Sequence, residues 1–269
     1  MIVGFIGGGN MAEAMIGGML GRGFRPHEIR VADPSHDRRV LLASRFGVAL
    51  EETPGNCLAV DVLVLAVKPQ VLRDVLLGLP PLAPDTCVLS IAAGVRATDI
   101  SRWLRGHGNV VRAMPNTPAL IGSGIAGLYA LPGVAAPLRE RAEQILGAVG
   151  ATLWVEDEAR IDAVTAISGS GPAYVFLFIE ALEEAAIGLG LPADDARALA
   201  LHTVHGAAAL ALRDGSEPAV LRARVTSKGG TTERGVATFE AQGLRAMVAA
   251  AARAAAERAR ELGDQLGSA

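Results

Sequence analysis

Short runs of β-branched and apolar residues recur through the first half of the chain, separated by stretches whose apolar positions repeat at helical spacing. The runs fall near Ile2–Ile6, Ile29–Ala32, Val62–Ala66, Cys87–Ala92, Val110–Ala113 and Ile125–Tyr129, with helices expected between most of them. Strand–helix alternation implies crossover connections and a largely parallel sheet. Several runs, such as Val62-Leu63-Val64-Leu65-Ala66-Val67, are apolar at every position, as expected when helices cover both faces of the sheet.

After a last apolar run at Thr152–Val155 the pattern changes, and no strand is expected from Glu156 onward. Helices are predicted over roughly 157–167, 172–189, 193–213, 217–223, 231–241 and 243–262, punctuated by Gly-Ser, Gly-Leu-Pro, Asp-Gly-Ser and Gly-Gly turns. The expected organisation is therefore an α/β domain over residues 1–155 and an all-α domain over 156–269. The helix over 172–189 carries Val175, Phe176, Leu177, Phe178, Ile179 and Leu182 on nearly every side, and such a helix is normally buried all round. A small helical domain offers little interior for it, so it is expected to pack against a second subunit. Glu180, Glu183 and Glu184 interrupt the apolar stretch Ala173–Leu191, and no membrane span is expected there.

The segment Gly7-Gly8-Gly9-Asn10-Met11-Ala12 follows the first strand and opens a helix, which places G-x-G-x-x-A in its required context. Gly7 makes the tight turn, Gly9 lets the backbone approach a pyrophosphate, and Ala12 permits close packing of helix on strand. The free N–H groups and positive dipole of the helix start, at Asn10 and Met11, suit a diphosphate. The first domain thus reads as a Rossmann-type dinucleotide-binding unit. Asp33 closes the second strand and is followed by Pro34, Ser35, His36, Asp37, Arg38 and Arg39. An acidic residue there grips a ribose 2′-hydroxyl and favours NAD, whereas nearby arginines accommodate a 2′-phosphate. A turn at Asp33-Pro34 with Ser35 capping the next helix fits equally well, so NADH and NADPH both stay open.

Composition narrows the class. A chain of 269 residues, 51% hydrophobic and 20% charged, can bury a substantial core, and its net charge of −3 is scattered, without the basic stripe that nucleic acid requires. The two cysteines, Cys57 and Cys87, form neither a disulfide framework nor a metal-ligand pattern, and no metal site is expected. With no basic leader before the first strand, the expected location is the cytoplasm.

Three further loops follow predicted strands, where open α/β sheets bind ligands: Val67-Lys68-Pro69-Gln70, Ile91-Ala92-Ala93-Gly94 and Val111-Arg112-Ala113-Met114-Pro115-Asn116-Thr117-Pro118. Together with Gly4–Ala12, Ser90–Gly94, Arg112–Ala119, Ser168-Gly169-Ser170-Gly171-Pro172-Ala173-Tyr174-Val175-Phe176 and Gly229-Gly230-Thr231-Thr232, in this order and spacing, they make a sequence that resembles pyrroline-5-carboxylate reductases throughout its length. The resemblance implies a Rossmann domain, an α-helical dimerisation and substrate domain, and NADPH- or NADH-dependent reduction of 1-pyrroline-5-carboxylate to L-proline. It implies that Val67, Lys68 and Pro69 line the adenosine side of the cofactor and that Ala92, Ala93, Met114, Pro115 and Asn116 approach its nicotinamide end. It also implies homodimers, gathered in many members into larger rings of dimers.

Val225-Thr226-Ser227-Lys228-Gly229-Gly230-Thr231-Thr232 leads into a predicted helix, and its amides make a nest suited to a small carboxylate. The resemblance puts the substrate-binding motif here, at Ser227, Gly229, Gly230 and Thr231, with Lys228 where the family commonly has proline. Thr232 is assigned a hydrogen bond to the ring nitrogen; a threonine hydroxyl is too weak an acid to titrate near neutrality. None of His27, His36, His107, His202 or His205 falls in a matched motif. A hydroxyacid dehydrogenase, which shares this architecture, would call for a catalytic lysine between Glu156 and Val225, and the chain has none.

Overall fold

The computed structural model describes residues 1–268. Its contacts divide the chain into two compact units: Met1–Ser170 together with the stretch from Ala254 onward, and Gly171–Arg253.

The first unit is built on an eight-stranded sheet: β1 (Val3–Ile6), β2 (Ile29–Ala32), β3 (Ala49–Glu51), β4 (Val62–Leu65), β5 (Cys87–Ser90), β6 (Val110–Met114), β7 (Gly124–Ala130) and β8 (Gly150–Trp154). The order across the sheet is β3-β2-β1-β4-β5-β6-β7-β8, parallel throughout except for the β6–β7 pair. The first six strands follow the order 3-2-1-4-5-6, with the reversal between β1 and β4, and dinucleotides bind at that switch point. β1, β4 and β5 are buried at every residue, including the polar Ser90 that ends β5. On one face α1 (Asn10–Gly21), α2 (His36–Phe46) and α5 (Ala136–Gly147) bury Met15, Ile16, Met19, Leu42, Ile145 and Leu146. On the other, α3 (Pro69–Leu77) and α4 (Ala97–Trp103) bury Leu72, Leu76, Ile100 and Trp103. Burial pushes the thiols of Cys57 and Cys87 up to about 12, which leaves both protonated and unreactive at neutral pH.

The sequence pattern puts a boundary between residues 155 and 156, whereas the contacts put it after Ser170 and return the C-terminal stretch to the first unit. The reason is packing that strand periodicity does not register. Helix α6 (Arg160–Val164) lies on the sheet, with Val164 Cγ1 2.7 Å from where a Cβ on Gly127 would stand. The last turns of α11 (Leu244–Ser268) lie along α4: Leu262 and Leu266 meet Gly94, Arg96 pairs with Asp264, and Arg102 donates to the Gly267 carbonyl at 2.7 Å.

The two helices expected over 157–167 and 172–189 are one continuous helical run, Arg160–Gly188. A π turn, Thr165–Gly169, joins α6 to α7 (Gly171–Gly188), with Ser170 N donating to Thr165 O at 2.8 Å. The wider turn absorbs the missing N–H and ring bulk of Pro172, which would break a regular helix.

In the second unit α7 and α8 (Ala193–Asp214) pack side by side, followed by α9 (Pro218–Arg224) and α10 (Thr231–Ala241). The Phe178 and Phe239 rings meet at 6.2 Å, and Arg197 pairs with Glu183 at 3.1 Å. Of α7 to α10, only Ala196 and Ala200 are buried, while Val175, Phe176, Leu177, Phe178, Leu199 and Leu201 are exposed. Arg160–Gly188 is long and apolar enough to cross a membrane on those two criteria alone. An apolar face of this extent marks an interaction surface.

Candidate active site

The loop between β1 and α1 is drawn tight by its own chemistry. Gly7 has φ +98°, and its N–H donates to the Ala32 carbonyl at 2.8 Å. A Cβ on Gly7 would meet the Ala66 carbonyl at 2.7 Å, so both conformation and contact demand glycine. Gly8 donates its N–H to Asp33 Oδ2 at 2.7 Å, and its carbonyl accepts from Arg38 Nε and Nη2 at 2.8 and 2.6 Å.

Gly9 differs. Its φ of −67° and ψ of −177° are extended backbone open to any residue, and a Cβ there would meet nothing within 4 Å. It caps α1 without a side-chain hydrogen bond, which leaves the first amides of the helix free, and both Gly9 and Asn10 are exposed. The fold itself places no demand for glycine at 9. The empty place of its side chain, in front of unused helix amides, is a cradle that a diphosphate fits.

The other predicted cofactor residues stand on the same edge, at the C-terminal ends of β2, β4, β5 and β6. Asp33 holds the Gly8 amide through one oxygen and the Ser35 amide through the other, the latter at 2.8 Å. Ser35 caps α2, accepting from the Arg38 amide at 3.4 Å, so the turn-and-cap arrangement is present alongside the acidic residue. Lys68 is exposed at the start of α3, Pro69 is its first residue, and Val67 is half-buried. Ala93 is exposed, whereas Ala92 is buried in the core beneath β5. Asn116 Oδ1 accepts from the Ile125 amide at 2.9 Å and so ties the loop after β6 to the start of β7. Pro115 is buried, and the Met114 methyl lies 2.5 Å from where a Cβ on Gly169 would stand.

Three features of this edge escape local sequence reading. Glu13, in the first turn of α1, pairs with Arg38 at 2.8 Å and with Arg45 at 2.5 Å. Arg112 on β6, 4% exposed, reaches Glu158 at 3.1 Å and Asp162 at 3.5 Å, and Glu158 also accepts the Ala97 amide at 2.7 Å. Ser168, inside the π turn, has a buried hydroxyl oxygen with no partner among the described residues. Arg112 and Ser168 fall within the matched segments, but nothing local in the sequence reveals their environments. A buried unpaired hydroxyl costs roughly 1–3 kcal/mol. Ser168→Ala is therefore expected to raise the thermal unfolding midpoint; a lower midpoint would show that the hydroxyl has a partner in the assembled protein.

In the second unit, the loop before α10 turns at Gly229, with φ +73°, and Gly230 N donates to the Ser227 carbonyl at 3.0 Å. A Cβ on Gly230 would stand 2.5 Å from Ser227 Oγ. Gly230 caps α10 with no side-chain hydrogen bond, and Thr231 and Thr232 are exposed at the helix start. The Gly229 amide is already taken by Glu233 Oε2 at 2.6 Å, so the amides left for a ligand are those from Thr231 onward.

This fold and this edge define a Rossmann-type dinucleotide-binding protein joined to a helical unit. Residues 2–94 match the family profile described as NADP oxidoreductase, coenzyme F420-dependent, and residues 158–262 match that of pyrroline-5-carboxylate reductase dimerisation. The chain is 47% identical to the pyrroline-5-carboxylate reductase of Pseudomonas aeruginosa over 98% of both chains. The structure of a Coxiella burnetii pyrroline-5-carboxylate reductase superposes with a TM-score of 0.88 at 41% identity, covering 96% of this chain and 97% of that one. The NADP-bound structure of Plasmodium falciparum pyrroline carboxylate reductase does so at 0.84 and 27% identity, over 98% of each. The chain belongs to the pyrroline-5-carboxylate reductase family. The dimerisation match covers the exposed apolar helices and supports homo-oligomerisation.

Proposed function

We propose that the protein reduces 1-pyrroline-5-carboxylate to L-proline with NADH or NADPH. The observation that carries this reading is Gly9, a glycine the fold does not need, set before free helix amides at the switch point of the sheet. Family membership supplies the substrate.

In this reading the backbone of Gly7, Gly9, Asn10 and Met11 holds the diphosphate, Asp33 and Ser35 meet the adenosine ribose, and Val67, Lys68 and Pro69 flank the adenosine side. Ala92, Ala93, Met114, Pro115 and Asn116 border the nicotinamide end. When bound, the reduced nicotinamide supplies a hydride to the imine carbon. Ser227, Gly229, Gly230 and Thr231 form the turn that receives the substrate carboxylate, and the free amides from Thr231 onward anchor it without a cationic side chain. The Thr232 hydroxyl oxygen accepts a hydrogen bond from the protonated ring nitrogen, holding it in place while the proton stays on the substrate. Residues 156–269 carry dimerisation and substrate binding, the dimers assemble into a ring, and the protein works in the cytoplasm.

The test is oxidation of NADH and of NADPH, followed by absorbance, with pyrroline-5-carboxylate, beside a panel of 2-hydroxyacids with NAD+. Activity confined to the hydroxyacids overturns the assignment. Thr232→Ala is expected to lower turnover by about tenfold to a hundredfold, the worth of one hydrogen bond to a charged group. Unchanged turnover in folded variant protein removes Thr232 from the mechanism.

A further inference from the structure

We propose that the cofactor site discriminates in favour of NADH over NADPH and that Asp33 sets the preference. The inference rests on the reading of Gly7–Ala12 as a dinucleotide cradle. Asp33 stands at the end of β2, where an acidic side chain meets the adenosine ribose. Both of its oxygens are fixed, Oδ2 by the Gly8 amide at 2.7 Å and Oδ1 by the Ser35 amide at 2.8 Å, so the carboxylate cannot swing aside without releasing the loop. Each carboxylate oxygen accepts two hydrogen bonds, which leaves capacity for a ribose hydroxyl. A 2′-phosphate has no proton to offer there and brings a second negative charge against the first.

A cation could reverse this balance, and Arg38 and Arg39 are the candidates by position. Both guanidiniums are anchored to the loop, each by part of its N–H groups. Arg38 spends Nε and Nη2 on the Gly8 carbonyl, and Nη2 also pairs with Glu13 at 2.8 Å. Arg39 spends Nη1 on the carbonyls of Asp33 and Pro34 at 2.7 and 3.0 Å, with Glu52 3.8 Å from its other nitrogen. Arg45 is held by Glu13 at 2.5 Å. Lys68 belongs to the far side of β1, since β2 and β4 flank that strand, roughly 10 Å apart by strand spacing. The arginines that signal a phosphate in the sequence are, in the structure, mortar for the glycine loop.

The experiment is equilibrium binding of NADH and NADPH to the purified full chain without substrate, by cofactor fluorescence or calorimetry, with the ratio of dissociation constants as readout. NADH is expected to bind tighter by about tenfold or more, the scale of one like-charge contact near a protein surface. Asp33→Asn keeps the shape and one acceptor but removes the charge, and it is expected to shift the ratio toward NADPH by a similar factor. Glu13→Gln, which releases Arg38 and Arg45 from their carboxylate, should move the ratio the same way by less while Asp33 stays in place. NADPH binding as tightly as NADH in the parent protein, or a ratio untouched by Asp33→Asn, overturns the proposal and leaves the cradle standing. Failure of both dinucleotides to bind overturns the cradle as well.

Discussion

Arg112→Ala destabilises the protein by roughly 3–5 kcal/mol, the usual cost of removing one partner from a buried ion cluster. The guanidinium is almost wholly buried on β6 and neutralises two carboxylates, Glu158 and Asp162, that the chain brings onto the sheet just before the π turn. Without it both acids lose their bonded counter-charge in a poorly solvated place, Arg96 acting on Glu158 only from farther off, and Glu158 must also keep the Ala97 amide satisfied. Urea denaturation checks the magnitude. Adding Glu158→Gln and Asp162→Asn to the alanine variant is expected to restore part of the loss, because it removes the orphaned charges. A loss below about 1 kcal/mol, the range of exposed pairs, would show that water reaches the cluster. Arg112→Lys keeps the charge but not the two-pronged geometry, and should fall between.

Gly9→Val separates binding from folding in the opposite sense. The residue's backbone is ordinary and its side-chain position empty, so the unfolding midpoint should stay close to the parent value. Dinucleotide affinity is expected to fall by about tenfold to a hundredfold, as the side chain holds the diphosphate off the helix amides and weakens hydrogen bonds to a charged group. Titration with either cofactor measures it; parental affinity contradicts the cradle. Gly7→Val should behave otherwise and destabilise the fold, since φ is +98° and the Ala66 carbonyl already fills the space.

Much of the first unit can be read from residues alone because its strands are buried on both faces, and such strands announce themselves as unbroken apolar runs. β3 has only three residues at the sheet edge, with Ala49 exposed, and leaves no such trace. β8 runs Gly150–Trp154, earlier than the apolar residues at 152–155 indicate, because Gly150 is chosen by close approach to Gly124 and not by hydrophobicity. The glycine turn and the loop edge are likewise legible, being local motifs after local strands. What holds them is not: Glu13 meets Arg38 and Arg45, and Arg112 meets Glu158 and Asp162, across distances in sequence that no periodicity encodes. The π turn was hidden by the Gly-Ser stretch at 169–170, which reads as a turn between two helices and is accommodated as a bulge in one.

Helix α11 starts in the second unit and finishes in the first, its last turns seated on α4. For anyone grafting parts between relatives, the chain is therefore an insertion and not two beads on a string. A chimera that exchanges only Gly171–Arg253 keeps Leu262, Asp264 and Leu266 with the Gly94, Arg96 and Arg102 they evolved against. One spliced near residue 155 parts those partners and should be the less soluble hybrid.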